Sequence, residues 1–179
     1  MNKLTETKGY TIWLTGLSGS GKTTIAVSLV EILRNRNIPV ILLDGDEIRK
    51  TISSDLGFSK EERDKHIYRV YNISNIISKN EVLNIVSVIS PNRKIRNDAR
   101  KLIENFIEIY VKCPIDICIK RNTKGLYNKK PGKKINNVVG LDIKYEEPLN
   151  PDIVVETDKS TVSECVNLIV SELEKRKII

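Results

Sequence analysis

The stretch that decides the fold runs from residue 11 to residue 35 and reads TIWLTGLSGSGKTTIAVSLVEILRN. Its first five residues are apolar or β-branched, as in a buried strand, and from residue 22 onwards apolar residues recur at helical spacing. Between them lies Gly16–Thr23, GLSGSGKT, which fits the pattern GxxxxGK[ST]. Glycines at these positions let backbone N–H groups turn inward around phosphate oxygens, and the start of a helix adds partial positive charge. The stretch therefore predicts a strand, a phosphate-binding loop and a helix.

Two side chains of this loop carry specific expectations. Lys22 is expected to reach the β- and γ-phosphates of a nucleotide, and the Thr23 hydroxyl is expected to ligate Mg²⁺. We therefore predict ATP and Mg²⁺ as the bound groups. The residues predicted to contact the nucleotide are Gly16, Ser18, Gly19, Ser20, Gly21, Lys22, Thr23 and Thr24.

The rest of the chain alternates short apolar runs with helical stretches. Strands are predicted at 11–15, 39–43, 84–89, 107–111 and 152–156, and helices at 22–35, 60–78, 97–105 and 161–176. Strands that alternate with helices indicate βαβ units, a parallel sheet and right-handed crossovers. With 179 residues, the chain is expected to form one α/β domain over 1–179. Ligands of such folds bind beyond the carboxyl ends of the strands, so chemistry is expected just after each strand.

Two carboxylates follow the second predicted strand. Asp44 and Asp46 can hold a hydrated Mg²⁺ or accept the proton of an attacking hydroxyl. Arg49 comes one helical turn later, where it can grip a phosphate of an acceptor through two hydrogen bonds. The other interpretation of Asp46 is a helix N-cap.

The third predicted strand is followed by SPNR at 90–93. Pro91 is predicted to lie in the first turn of a helix, where the missing N–H costs nothing. Arg93 and Arg96 are then expected at the entrance of the same cleft. Arg100, seven residues after Arg93, is predicted on a solvated helix face.

The net charge of +7 is concentrated in one segment. Residues 117–141 contain seven Lys or Arg and no acid, and the remainder is balanced at 23 bases and 23 acids. Such a segment suits a loop that closes over a small, highly charged ligand. The alternative is a solvated surface loop. Because aromatic residues make up only 5% and the basic residues do not spread over a face, the pattern argues against a nucleic-acid partner.

The composition also bounds location and metal chemistry. No apolar run reaches the roughly 18 residues that a membrane span needs, and the N-terminus lacks an apolar signal core. The three cysteines are odd in number and lack CxxC spacing, which fits reduced thiols. We therefore expect a cytoplasmic protein with no membrane partner. A single histidine excludes a two-histidine zinc site.

Taken together, these residues resemble the adenylylsulfate kinase family of P-loop kinases. The matching motifs, in the family's order, are GLSGSGKTT (16–24), LDGDEIR (43–49), DLGFS (55–59), VSVISPNRKIRNDAR (86–100), RNTKGLY (121–127) and YEEPLNPDIVVET (145–157). The resemblance implies a P-loop NTPase three-layer sandwich with a five-stranded parallel sheet, a mobile lid over about 119–140 and a homodimer. It also implies that the γ-phosphoryl group of ATP moves to the ribose 3′-hydroxyl of a sulfate–nucleotide anhydride.

The resemblance gives roles to individual residues. It implies a catalytic set of Lys22, Asp44 and Asp46, and a metal set of Thr23 and Asp44. It places Arg121 in the lid near ATP and implies that Phe58 stacks on the acceptor base. The residues that it places around the acceptor are Arg49, Phe58, Arg63, Ser90, Arg93, Lys124, Gly125 and Leu126.

Two departures from the family pattern lie around the acceptor. His66 stands where the family usually has an Asn, and Val138 stands where it usually has a Phe that stacks on the acceptor adenine. One hypothesis is a compensated pocket that still takes adenylylsulfate. The other is a different small-molecule nucleotide acceptor, for which cytidine diphosphoramidate, a compound of capsule modification with a smaller base, is the candidate. His66 belongs to this predicted acceptor set with Val138, although it could equally be a surface helix residue.

Two other function classes remain open. A non-catalytic nucleotide-binding domain would not need both carboxylates, the arginines and the basic segment together. A nucleic-acid 5′-kinase or another RNA-binding P-loop protein is disfavoured by the neutral charge balance outside that segment.

Overall fold

The structure is a computed structural model, which describes residues 8–122, 125, 127 and 137–179. Within these residues the chain forms five strands and six helices. In chain order they are β1 (Thr11–Thr15), α1 (Lys22–Asn35), β2 (Val40–Asp44), α2 (Gly45–Lys50), α3 (Lys60–Lys79), β3 (Leu83–Ser87), α4 (Arg93–Leu102), β4 (Phe106–Lys112), α5 (Ile115–Arg121), β5 (Ile153–Glu156) and α6 (Val162–Lys175).

The strands form one parallel sheet in the order β2-β3-β1-β4-β5. β1 is central, with Ile12 in register with Ile85 on one side and Ile107 on the other. The chain leaves β1 towards one edge and later returns to its other side, so the direction of winding reverses at β1. A crevice for ligands opens at the carboxyl ends of strands at such a switch point.

Helices cover both faces of the sheet and create two apolar cores. On one face α1 packs beside α6, and the α1 side chains Ile25, Leu29 and Leu33 are almost completely buried. On the other face α3 and α4 cover Trp13, whose ring lies 5.7 Å from that of Phe106. The two cores make three layers, which confirms the α/β P-loop fold with its five-stranded parallel sheet.

The predicted strands agree with the observed ones to within two residues at each end, but one helix is displaced. α4 begins at Arg93 instead of 97 because the Asn92 side chain accepts a hydrogen bond from the Lys94 amide and caps the helix. It ends at Leu102 because Ile103 is extended. Pro91 therefore precedes the cap, and its predicted place in the first turn is wrong. α2 and α5 were not predicted.

The predicted lid over about 119–140 is described only at its borders. The first residues of the predicted lid form the end of α5. Near the other border of the lid, Val139 forms an isolated β-bridge with Ile143. The residues 123, 124, 126 and 128–136 lie outside the described part of the chain, so the lid stays a prediction. In that described part, no helix is both long and apolar enough to cross a membrane.

We predict that Leu29→Ala lowers the free energy of unfolding by about 2–5 kcal/mol, because the leucine is completely buried between α1 and the sheet. Val27→Ala on the same helix is the control, since Val27 is 41% exposed, and we expect a change below about 1 kcal/mol. Urea unfolding followed by circular dichroism measures both. Equal losses in the two variants would contradict the assigned helix face.

Candidate active site

A two-lobed cleft lies at the carboxyl ends of β1, β2 and β3. We call the part that reaches towards Thr161 and Val162 at the start of α6 the α6-side lobe, and the part that reaches towards Phe58 and His66 the α3-side lobe. The residues that line both lobes are Lys22, Thr23, Asp44 and Asp46. The predicted catalytic residues therefore stand together at the junction of two binding spaces.

The loop between β1 and α1 follows a path that demands glycine. A Cβ on Gly16 would lie 2.4 Å from the carbonyl oxygen of Val111, and one on Gly19, whose φ is +78°, would lie 3.0 Å from that of Cys118. The Lys22 ammonium donates to the Leu17 carbonyl oxygen at 2.7 Å and is thereby held over the loop. The strand, loop and helix predicted from the sequence are confirmed.

A hydrogen bond joins the loop to the end of β2. Thr23 Oγ1 donates to Asp44 Oδ2 at 3.0 Å, and Asp44 Oδ1 accepts from the backbone amides of Asp46 and Glu47. The N-cap of α2 is thus Asp44, and the alternative that Asp46 caps the helix is wrong. Asp46 lies in the first turn of α2 and lines both lobes.

The α6-side lobe is built around an arginine–threonine contact. Arg121 donates to the hydroxyl and carbonyl oxygens of Thr157 at 3.1 and 2.6 Å, and Thr157 Oγ1 donates to the Ser20 carbonyl oxygen at 2.8 Å. Arg121 was predicted here and Thr157 was not. The signal for Thr157 was present, because it directly follows the last predicted strand. The other unpredicted residues that line this lobe are Ile25, Ser160, Thr161 and Val162.

The α3-side lobe carries an exposed aromatic ring beside two cations. Phe58 is 60% exposed, and the guanidinium carbons of Arg49 and Arg63 lie 5.1 and 5.6 Å from its ring centre. Arg49 donates to the Gly57 carbonyl oxygen at 2.8 Å and Arg63 donates to that of Phe58 at 2.9 Å. Burial, and then the charge of Arg63, lower the pKa of Arg49, and burial lowers the pKa of Arg63. Two partly buried cations beside an exposed ring suit a planar, anionic ligand.

His66 lies inside the same lobe and is not a surface residue. Its side chain is buried, and within the described residues its Nδ1 has no hydrogen-bond partner. Burial, and then the neighbouring Arg49 charge, lower the pKa of His66 to about 4, against a smaller opposing effect of Asp46. The imidazole is therefore neutral at physiological pH, with one ring nitrogen able to donate and the other able to accept.

Several predicted acceptor residues do not project into the cleft. Arg93 donates from Nε to the Glu147 carbonyl oxygen at 2.6 Å, and neither it nor Val138 lines either lobe. Gly125 is held by its amide on the Asn122 carbonyl oxygen, and it does not line the lobes either. Lys124 and Leu126 lie outside the described residues.

Ser90 lines the α3-side lobe, but its hydroxyl points into the protein. Its Oγ accepts from Trp13 Nε1 and donates to Thr15 Oγ1, each at 3.1 Å. The Ser90 hydroxyl is therefore engaged by Trp13 and Thr15 and does not project into the cleft.

The prediction for Arg96 is wrong, and the prediction for Arg100 is correct only in part. Arg96 is 2% exposed and forms a salt bridge with Glu108 at 2.9 Å, so it is buried behind the cleft and not at its entrance. Arg100 is 36% exposed, as expected of a solvated face, but it also pairs with Asp152 at 2.7 Å. The reason is the buried carboxylate of Glu108 on β4, which needs cations beside it.

Comparison with known proteins bears on this cleft. The sequence model of the adenylylsulphate kinase family matches residues 8–156. The chain belongs to this family. The adenylyl-sulfate kinase of Rippkaea orientalis is 45% identical over 168 residues, covering 94% of this chain and 93% of the relative. Adenylylsulphate kinases transfer a phosphoryl group to a hydroxyl, and the present chain is an enzyme of that type.

Solved structures of this family share the fold. The APS kinase CysC of Mycobacterium tuberculosis, in complex with AMPPNP and APS, aligns with a TM-score of 0.88 and 33% identity, covering 94% of this chain and 99% of that one. The hexameric APS kinase from Thiobacillus denitrificans aligns with a TM-score of 0.74 and 32% identity, covering 97% of this chain and 30% of the larger one.

We predict that His66 makes stability fall as the pH drops from about 6.5 to about 4. The histidine of the unfolded chain takes up a proton near pH 6.5, whereas that of the folded chain does so only near pH 4. The unfolded state holds the extra proton in this window, so the free energy of unfolding rises with pH there. At its steepest, this contribution is about 1.4 kcal/mol per pH unit.

His66→Asn removes the titrating group, and urea unfolding at several pH values from 4 to 7 measures the slope in both proteins. We expect a flatter profile for the variant. The same slope in both proteins would show that His66 is solvated and protonates normally.

Proposed function

We propose that this protein is an adenylylsulfate kinase that transfers the γ-phosphoryl group of ATP to the ribose 3′-hydroxyl of adenylylsulfate. The observation that carries the proposal is the junction of the two lobes, where Lys22, Thr23, Asp44 and Asp46 line both spaces. A phosphoryl donor in one lobe and an acceptor in the other would meet at these four side chains. Phosphoryl transfer depends mostly on such positioning and on charge stabilisation.

ATP would occupy the α6-side lobe. The loop at 16–21 would surround the phosphates with backbone N–H groups, at the start of α1. Lys22 would exchange its contact with the Leu17 carbonyl oxygen for the β- and γ-phosphates. Arg121, fixed by Thr157, offers its planar guanidinium to the nucleotide base.

Mg²⁺ would be held by Thr23 and Asp44. Their oxygens are 3.0 Å apart at the junction of the lobes, and hydroxyl and carboxylate oxygens are ligands that Mg²⁺ prefers. Within the described residues no cluster of three or more His, Cys, Asp or Glu could hold a metal, so phosphate oxygens and water would complete the shell. When bound, the ion neutralises charge that develops on the transferred group.

The acceptor would occupy the α3-side lobe. Phe58 offers an exposed face for stacking of the base, and Arg49 and Arg63 offer cations to the phosphate and sulfate groups. The neutral imidazole of His66 supplies a hydrogen-bonding group in the pocket wall. The carboxylate of Asp46 would accept the proton of the attacking hydroxyl.

Cytidine diphosphoramidate is the second candidate acceptor. The observation that favours it is Nδ1 of His66, which has no hydrogen-bond partner among the described residues and can address a different base edge. The 45% identity to an adenylyl-sulfate kinase supports adenylylsulfate as the first candidate. The homodimer is likewise a proposal that rests on the family resemblance, while the relative from Thiobacillus denitrificans is hexameric.

We expect ADP release in the presence of ATP and Mg²⁺ to accelerate with adenylylsulfate, measured in a coupled assay against cytidine diphosphoramidate as the alternative acceptor. Asp46→Asn is expected to lower kcat by about 10²–10⁴-fold, because the carboxylate that takes the proton is lost. Glu47→Gln, the adjacent acid that lines neither lobe, is the matched control and keeps activity. Acceleration by the cytidine compound alone would assign the second acceptor, and no acceleration by either would reject both.

Phe58→Ala is expected to raise the KM for adenylylsulfate by about 5–150-fold, because a stacking contact with a base contributes about 1–3 kcal/mol. The KM for ATP should change less than about two-fold, since the ring lines only the α3-side lobe. Tyr68→Ala is the control, because Tyr68 is also an exposed aromatic residue but lies on α3 outside both lobes. Steady-state kinetics that showed equal effects on both substrates would contradict the placement of the acceptor.

A further inference from the structure

A buried ion network lies directly behind the α3-side lobe. Arg96 on α4 pairs with Glu108 on β4 at 2.9 Å, and both side chains are at most 9% exposed. Glu108 also contacts Arg100 at 3.4 Å, and Arg100 pairs with Asp152 at 2.7 Å. Arg176 also lies 3.5 Å from Asp152, so three guanidinium groups surround two carboxylates, and the buried Glu108 has a counter-charge. This explains how the network is tolerated in the interior but not why Arg96 is oriented as it is.

The remaining donors of Arg96 go to backbone carbonyls. Nη1 donates to the Ser90 carbonyl oxygen at 2.6 Å and Nη2 donates to that of Glu146 at 2.5 Å. Its guanidinium carbon lies 5.6 Å from the ring centre of Tyr145, whose hydroxyl contacts Thr15 Oγ1 at 2.9 Å. One planar side chain thus joins the wall of the acceptor lobe to the segment at 145–147, which follows the predicted lid in sequence.

The backbone at Ser90 needs such a restraint. Its φ is +36°, a region that residues other than glycine seldom occupy. Trp13 and Thr15 fix its hydroxyl from the sheet side, and Arg96 fixes its carbonyl oxygen from the α4 side. Strained residues of this kind cluster at ligand sites and persist only where the surroundings determine them fully.

We propose that Arg96 is a positioning residue, which fixes the Ser90–Pro91 wall against the 145–147 segment and thereby sets where the acceptor binds. This inference rests on the proposed function, because it assumes that the acceptor occupies the α3-side lobe. The role requires the arginine fork: three donors in one plane reach Glu108, Ser90 and Glu146 together, whereas the single ammonium of a lysine cannot.

Arg100 provides a matched control within the same network. It contacts the same Glu108 carboxylate, but its other hydrogen bond goes to Asp152, and it contacts neither Ser90 nor Glu146. Arg100→Lys therefore perturbs the ion network without touching the wall of the lobe. Arg96→Lys perturbs both while retaining the charge.

The experiment compares Arg96→Lys, Arg100→Lys and the wild type in steady-state ADP release with adenylylsulfate, and in slow ATP hydrolysis without acceptor. We expect Arg96→Lys to lower kcat/KM for adenylylsulfate by about 10–100-fold, the effect of a displacement near 1 Å. Its KM for ATP and its acceptor-independent hydrolysis should stay within about two-fold. Arg100→Lys should leave both substrates' kinetic constants unchanged.

Two outcomes overturn the inference: Arg96→Lys with unchanged acceptor kinetics, or equal acceptor defects in both lysine variants. A wild type that responds to no acceptor would instead reject the proposed function. If Arg96→Lys fails to fold, Ser90→Ala tests the same wall from the sheet side, because it removes the bonds to Trp13 and Thr15. It should lower kcat/KM for adenylylsulfate while KM for ATP holds, and equal effects on both substrates would refute the role.

Discussion

The close approach of Gly16 to the carbonyl oxygen of Val111 is the constraint on which the site depends. It lets the loop after β1 turn tightly against the end of β4, so that α1 starts where the backbone N–H groups converge. Lys22 and Thr23 sit at that start, and the bond from Thr23 to Asp44 ties them to the end of β2. The four side chains shared by the two lobes are thus consequences of one backbone path.

The α3-side lobe of the cleft is positively charged. The α3-side lobe gathers Arg49 and Arg63 around Phe58, and burial and the Arg49 charge keep His66 neutral, so the lobe offers cations and one uncharged hydrogen-bonding group. Positive charge beside a low-dielectric wall strengthens attraction for an anion. A neutral imidazole can orient a ligand by hydrogen bonding without adding a third positive charge that would repel the two arginines. This is consistent with recognition of a small anionic nucleotide.

The buried polar groups behind the cleft hold its wall in place, whereas the groups that line the cleft are available to a ligand. Glu108 is buried in β4, and two of the three arginines of α4, Arg96 and Arg100, contact its carboxylate. Arg96 then has donors left for Ser90 and Glu146. A buried charge pair is costly by itself, but here its arginine also holds the loop at Ser90, which lines the cleft, against the segment at 145–147.

The sequence by itself determined the sheet, the phosphate loop and the family, because these follow from local periodicity and contiguous motifs. Strand bounds came within two residues, and Asp44, Asp46, Arg49 and Phe58 were placed at the cleft correctly. The positions of Asp44, Asp46 and Arg49 follow from the end of β2, which parallel packing gathers with the other strand ends at one edge, whereas Phe58 was placed by the family resemblance.

Only the tertiary structure decided which charges face the cleft. Arg93, Arg96 and Arg100 share a helix and look alike in sequence. Yet Arg93 donates to the backbone carbonyl oxygen of Glu147, whereas Arg96 and Arg100 pair with the carboxylates of Glu108 and Asp152 on other elements. The burial of His66 was likewise undecided, because the helical spacing of α3 does not say what packs against each face. Side-chain direction depends on long-range partners, and the physical reason is that a buried charge takes the orientation in which it finds its counter-charge.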